Sequence, residues 1–130
     1  MASIFSKIIQ KEIPAEIIAE NDQFIAFLDI MPLVQGHTLV VPKQEVDYIF
    51  DMDDQRLADM MVFAKHVAAA IRKSVPCKRI GVSVIGLEVP HAHVHLVPIH
   101  SADDLNFTRA KLKPAPSELA EVAAKIRAAL

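Results

Sequence analysis

Residues 90–99 read PHAHVHLVPI, and His91, His93 and His95, half of the chain's six histidines, occupy alternate positions. Period decides how the three rings relate. On a helix turning about 100° per residue, His93 would point away from His91 and His95. On a strand, successive side chains alternate faces, so the imidazoles share one surface and Ala92, Val94 and Leu96 share the other. Pro90 and Pro98 disfavour a continuing helix and suit strand ends. The stretch from His91 to Val97 therefore reads as a strand with one aliphatic face and one imidazole face. The plain alternative is a solvated polar face, but three imidazoles have no packing advantage there over Thr, Lys or Glu. The pattern points to a site.

Working outward, HTLVVP (residues 37–42) reads as a buried, β-branched strand with His37 at its mouth. Upstream lie two further β-like runs, IIA (17–19) and FIAFLDI (24–30), before MPLVQGH (31–37) turns the chain at Pro32 and Gly36. RIGVSVIG (79–86) reads as another strand, turning at Gly86 into the histidine stretch. Three helices are expected. Ser3 would cap a short one whose Ile4, Phe5, Ile8 and Ile9 form a stripe ended by Pro14. From Asp53 to Ser74, acidic residues lead and basic ones trail, as the helix dipole favours. There Leu57, Met60, Met61, Ala64, Val67, Ala68 and Ile71 make one stripe, and Val62, Phe63, Ala69 and Ala70 cover much of the rest. A helix apolar on two faces is buried on both, and in so small a protein the second face predicts a second subunit. Ser117 is the expected cap of a last helix at about 117–130. Cys77, His66 and His100 have no partner legible in the sequence.

Composition limits the function classes. The 130 residues suit one domain, residues 1–130; 52 % are hydrophobic, 23 % charged, and the formal net charge is −2. No basic run exceeds two residues, so no nucleic-acid footprint is visible. The amino-terminal stretch, interrupted by Ser6, Lys7 and Gln10, reads as neither secretory signal nor membrane span. A lone cysteine excludes an intramolecular disulfide and a multi-cysteine zinc site, and a reducing cytoplasm is the natural expectation.

Two chemistries suit the imidazole face. Imidazole is a common transition-metal ligand, and residues at i and i+2 can chelate one ion. At a rise of about 3.3 Å per residue, however, His91 and His95 lie roughly 13 Å apart along the strand, awkward for one tetrahedral ion. A set drawn from His93, His95 and His37 remains open, although no acidic residue stands in the motif to orient it. The other chemistry is nucleophilic: neutral imidazole attacks an electrophile while its neighbours orient it and stabilise developing charge. Phosphorus is the natural target, since phosphoryl transfer depends on positioning and charge.

HAHVHLV (91–97) matches the pattern His-φ-His-φ-His-φ-φ, where φ is apolar, and the chain resembles the histidine-triad (HIT) family of nucleotide hydrolases and transferases. IFSKIIQKEIPAEIIAENDQFIAFLDIMP (4–32) looks like the amino-terminal signature of its Hint branch, and GHTLVVPK (36–43) is similar to the strand before the family's long helix. The resemblance implies an α+β fold, a five-stranded antiparallel sheet paired in a homodimer to ten strands. It implies hydrolysis or nucleotidyl transfer at the α-phosphate of nucleoside 5′-monophosphate derivatives, phosphoramidates preferred, as in purine nucleoside phosphoramidases. The route would be a covalent nucleotidyl-histidine on His93. His95 would contact phosphate oxygens, and His91 and His37 would complete the network. Asp29 would accept hydrogen bonds from ribose hydroxyls, and Phe5, Ile8, Ile13, Phe27, Ile30 and Leu39 would wall the base. No metal, other cofactor, nucleic acid or membrane is implied.

The sequence departs from the family on the leaving-group side. Leu87 follows Gly86 where Gln is common, the loop is shorter and lacks an asparagine, and Glu88 stands where Ser is frequent. LVPIH (96–100) lacks the basic residue that often follows the triad. Two alternatives stand beside this reading: a dinucleoside polyphosphate hydrolase, which needs a second nucleotide as leaving group, and a nucleotide-binding module with negligible turnover, which Leu87 and the missing asparagine favour.

Overall fold

A computed structural model describes residues 2–130. Its elements are α1 (Ile4–Ile9), β1 (Ile17–Glu20), β2 (Phe24–Leu28), β3 (Thr38–Pro42), α2 (Asp54–Ser74), β4 (Arg79–Ser83), β5 (Val94–Ile99) and α3 (Pro116–Ala128). The strands form one antiparallel sheet in the order β1-β2-β3-β5-β4. This is the expected α+β class with five antiparallel strands.

Strand alternation sorts the sheet's two faces. Phe24, Ala26 and Leu28 of β2, Val40 of β3 and Val94 and Leu96 of β5 point to one side. Met60, Ala64, Val67 and Ile71 of α2 and Val122 and Ile126 of α3 meet them there to form the main core. Burying an Ile or Phe side chain is worth about 1.5–3 kcal/mol, so this layer supplies most of the stability. Ile25 and Phe27 of β2 and Leu39 and Val41 of β3 point to the other side, where Phe5 and Ile8 of α1 cover them. The register sets Leu39 opposite His95, which places the imidazoles on this second, thinner layer.

Several expected boundaries move. The histidine strand begins at Val94 rather than His91. Its register with β3 would bring Ala92 opposite Pro42, which has no N–H to offer the ladder, and the Ala92 N–H bonds the Val46 carbonyl at 2.6 Å instead. The sorting of side chains persists nonetheless: Ala92 joins the main core, and His93 faces Phe5. Ser3 does cap α1, accepting the Ser6 N–H at 3.0 Å. The helix ends at Ile9, well before Pro14, because Lys11 takes a left-handed conformation with φ 64°. Ser117 is not the cap of α3. Pro116 holds the first helical position, which needs no N–H, and the Glu118 carboxylate receives the Ala115 N–H at 3.0 Å. β4 ends at Ser83, leaving Val84, Ile85 and Leu87 exposed in the approach to the histidines. Among the described residues, no helix is long and apolar enough to cross a membrane.

Candidate active site

The second layer gathers the four histidines singled out above. His37 and His91 are fully buried, while His93 and His95 each retain 7 % exposure, so only the latter two offer an edge to a ligand. Phe5 stands edge-on to His93 at 4.9 Å, to His91 at 5.8 Å and to Phe27 at 5.5 Å. The His93 and His95 rings are themselves 4.9 Å apart.

The partners of each ring fix where its proton sits. A carbonyl only accepts and a backbone N–H only donates. The Leu33 N–H points at His37 Nδ1 at 3.0 Å, so that nitrogen carries the lone pair. His37 Nε2–H then donates to His95 Nδ1 at 2.9 Å, which leaves the proton of neutral His95 on Nε2, its free nitrogen. His93 is wired the other way. Its Nδ1–H donates to the His91 carbonyl at 2.7 Å, so in the neutral ring Nε2 is a bare lone pair. The two rings, 4.9 Å apart, thus differ at Nε2: a lone pair on His93 and an N–H on His95.

His91 holds the arrangement to α1. Its Nε2–H donates to the Pro42 carbonyl at 2.7 Å, and its Nδ1 accepts the Ser3 hydroxyl at 2.7 Å. Glu45 Oε1 takes the Ser3 N–H and the Ser6 hydroxyl, both at 2.7 Å. The residue that caps α1 therefore also orients the first triad histidine. Sequence reading finds only the cap.

Burial disfavours the charged form of His37, His95 and His91. Loss of water pushes His37 down to about 4, and His95 down to about 3 with help from neighbouring His37, His93 and Lys111. Burial also lowers His91, against the opposing pull of the Pro42 carbonyl and Glu45. Asp29 follows β2 and lies 3.8 Å from His37 Nε2. Its Oδ1 accepts the Met31 N–H at 2.9 Å, and burial raises its carboxyl above the usual range despite that bond.

Phe5, Ile8, Phe27 and Leu39 pack together as one apolar cluster, with Ile13 partly buried at its edge. Ile30 does not join them; it is 65 % exposed. Glu88 is exposed in the approach loop. A cavity of about 220 Å³ also touches Asp29 and His37. It opens toward Leu112, Pro114 and Leu119 of the carboxy-terminal segment, and none of the triad histidines lines it.

That carboxy-terminal segment reaches the site by a route invisible in the sequence. Phe107 stands edge-on to His95 at 4.6 Å and to His37 at 6.2 Å. The Leu112 N–H bonds the Pro32 carbonyl at 2.8 Å. Donor atoms of Asp29, His37 and His95 all lie within 4.8 Å of one another, a spacing open to a metal ion. The set has Asp29 where the one left open above has His93. Both His37 nitrogens and His95 Nδ1 are already engaged in hydrogen bonds, so an ion would have to displace the proton that joins the two rings.

Comparison with known proteins identifies the family and the fold. The family model described as HIT domain matches residues 10–102. An uncharacterized HIT-like protein of Borreliella burgdorferi is 35 % identical over 113 residues, covering 82 % of this chain and 81 % of that protein. Adenosine 5′-monophosphoramidase HNT1 of Saccharomyces cerevisiae is 38 % identical over 98 residues, 75 % of this chain and 62 % of that longer protein. In a crystal structure, a Hit-like protein from Bartonella henselae superposes with a TM-score of 0.85 at 34 % identity, over 98 % of this chain and 96 % of that one.

Proposed function

The chain belongs to the HIT family, and on that footing we propose that it hydrolyses nucleoside 5′-phosphoramidates through a covalent intermediate on His93. The observation that carries this reading is the opposite wiring of adjacent rings. His93 Nδ1–H is held by the His91 carbonyl at 2.7 Å, which aims a lone pair outward from Nε2. His95 carries its proton on the free Nε2, able to donate to a phosphate oxygen as negative charge grows there. In the reaction, the His93 lone pair forms a bond to the α-phosphorus and the phosphorus–nitrogen bond of the substrate breaks, its electron pair leaving with the amine. Water then adds its oxygen to phosphorus as the imidazole departs, and its protons go to solvent, replacing the one that solvent gave to the departing amine. The products are a nucleoside monophosphate and an amine.

Asp29 accepts the ribose hydroxyls in this reading, and Phe5, Ile8, Phe27 and Leu39 form the wall on which the base rests. Glu88 biases the leaving group: an exposed carboxylate repels a polyphosphate and tolerates an amine. The relative from Saccharomyces cerevisiae, an adenosine 5′-monophosphoramidase, supports the substrate class. The same reading pairs two copies through exposed apolar residues of α2 and the β4 edge, Met61, Val62 and Val82 among them, and places the protein in the cytoplasm, where its lone cysteine stays reduced.

The test is a side-by-side product assay on adenosine phosphoramidate, diadenosine polyphosphates and nucleotide sugars. The largest kcat/KM belongs to the phosphoramidate. Faster cleavage of diadenosine polyphosphates would replace the proposed substrate class, and no turnover of any would reduce the site to a binding module.

A further inference from the structure

We propose that Lys111 is the phosphate-binding cation of this site, supplied from the carboxy-terminal segment in place of a basic residue directly after the triad. The inference rests on the nucleotide reading above and adds a residue to it. LVPIH offers no cation where the triad strand ends. An anionic phosphate beside the neutral His95 imidazole in a poorly hydrated layer needs a compensating charge.

The fold brings one there. The segment after β5 is anchored on both sides of Lys111: Phe107 packs edge-on against His95 at 4.6 Å, and the Leu112 N–H bonds the Pro32 carbonyl at 2.8 Å, three residues from Asp29. Lys111 is partly buried between these anchors, and its Nζ donates to the Phe107 carbonyl at 3.2 Å. That bond ties the ammonium to the backbone of the residue whose ring packs on His95. Among the described residues no carboxylate lies within 4.0 Å of Nζ, so its charge is left without an ion-pair partner, whereas Arg109 nearby is paired with Asp103 and Asp104. Its field reaches Asp29, His37 and His95 together, as a secondary influence behind burial on each. Those are the three groups that would surround a ribose-phosphate. The same cation opposes a divalent metal at that cluster.

The test compares binding of AMP with binding of adenosine by isothermal titration calorimetry, using Lys111→Met and Lys111→Arg in the full-length protein. One charge-assisted contact to phosphate is worth roughly tenfold in affinity. Lys111→Met should weaken AMP about that much and leave adenosine unchanged, with the AMP loss shrinking as salt rises. Lys111→Arg should restore most of it. Equal weakening of AMP and adenosine would assign Lys111 to holding the segment in place, and no change in AMP affinity would remove it from the site; either result overturns the proposal. Because AMP is a product and needs no chemistry to bind, the result is independent of whether His93 forms an adduct. A wild-type protein that binds neither ligand would instead remove the nucleotide reading and this inference with it.

Discussion

Acidification from pH 7 to pH 5 should destabilise the protein by about 4 kcal/mol through His37 and His95 alone, if their wiring is as described. Burial holds their pKa values at about 4 and about 3 in the folded protein, and unfolding returns each to about 6.5. The folded state thus binds fewer protons than the unfolded one throughout the window. Stability is fully present above about pH 6.5 and is lost as pH falls toward the folded values. At pH 5 the unfolded imidazoles are about 1.5 units past their midpoint and the folded ones have barely begun to titrate; at 1.36 kcal/mol per unit, each contributes about 2 kcal/mol. His91, also lowered by burial, acts in the same direction. Asp29, raised by burial, opposes the trend as it protonates. Glu20, Glu45 and Asp104 are held low, chiefly by Lys11, the Ser3 N–H and the His100 N–H respectively. Their contributions are present above the usual carboxylate range of about 4 and are lost below it, outside the window. Urea unfolding at fixed protein concentration, in closely spaced buffers from pH 7 to pH 5, measures the slope. A His37→Asn, His95→Asn double variant, less stable at pH 7, should lose about 4 kcal/mol less across the window than the wild type. A wild-type stability that is flat from pH 7 to pH 5, or a double variant that keeps the full slope, would refute the neutral, buried wiring.

Ser3→Ala removes a helix cap, worth about 0.5–2 kcal/mol, and leaves the buried His91 Nδ1 without its donor, at about 1–3 kcal/mol more. Thermal unfolding should show the combined loss, and kcat should fall more than KM rises, since His91 holds His93 rather than substrate. Activity should survive prolonged dialysis against EDTA, because no step proposed here uses a metal; loss on chelation and recovery with zinc would favour a metal-dependent reaction. Sedimentation at micromolar concentration should give a dimer, and Met61→Glu combined with Val82→Glu should give a folded monomer. A wild-type monomer at that concentration would remove the two-copy assembly.

Alternation carried much of what could be read in advance. Histidines at every second position fix a shared face whether or not each residue sits in a ladder, so the imidazole layer was legible although the strand begins three residues late. The β-branched run at residues 37–42 and the helix beginning near residue 53 were equally plain, because burial on a regular element leaves a period. What was hidden has no period. The Ser3 contact to His91 spans 88 positions, and one hydroxyl serves both cap and imidazole, so the cap motif accounts for the serine by itself. Phe107 and Lys111 lie in an irregular, turn-rich stretch whose path is set by single contacts such as the Leu112 to Pro32 bond. Ser117 misled for a related reason: a good capping residue stands one position inside a helix that Pro116 already begins.

The central claim is that His93 Nε2 becomes bonded to phosphorus. Rapid chemical quenching of the enzyme with radiolabelled adenosine phosphoramidate, followed by peptide mapping under alkaline conditions that preserve phosphoramidate bonds, tests it directly. Transient label is expected on the peptide containing residues 91–97, located on His93, appearing before AMP is released, and absent from a His93→Ala protein that still binds AMP. Unlabelled wild-type enzyme during active turnover, label on a different residue, or near-normal turnover by His93→Ala would contradict it.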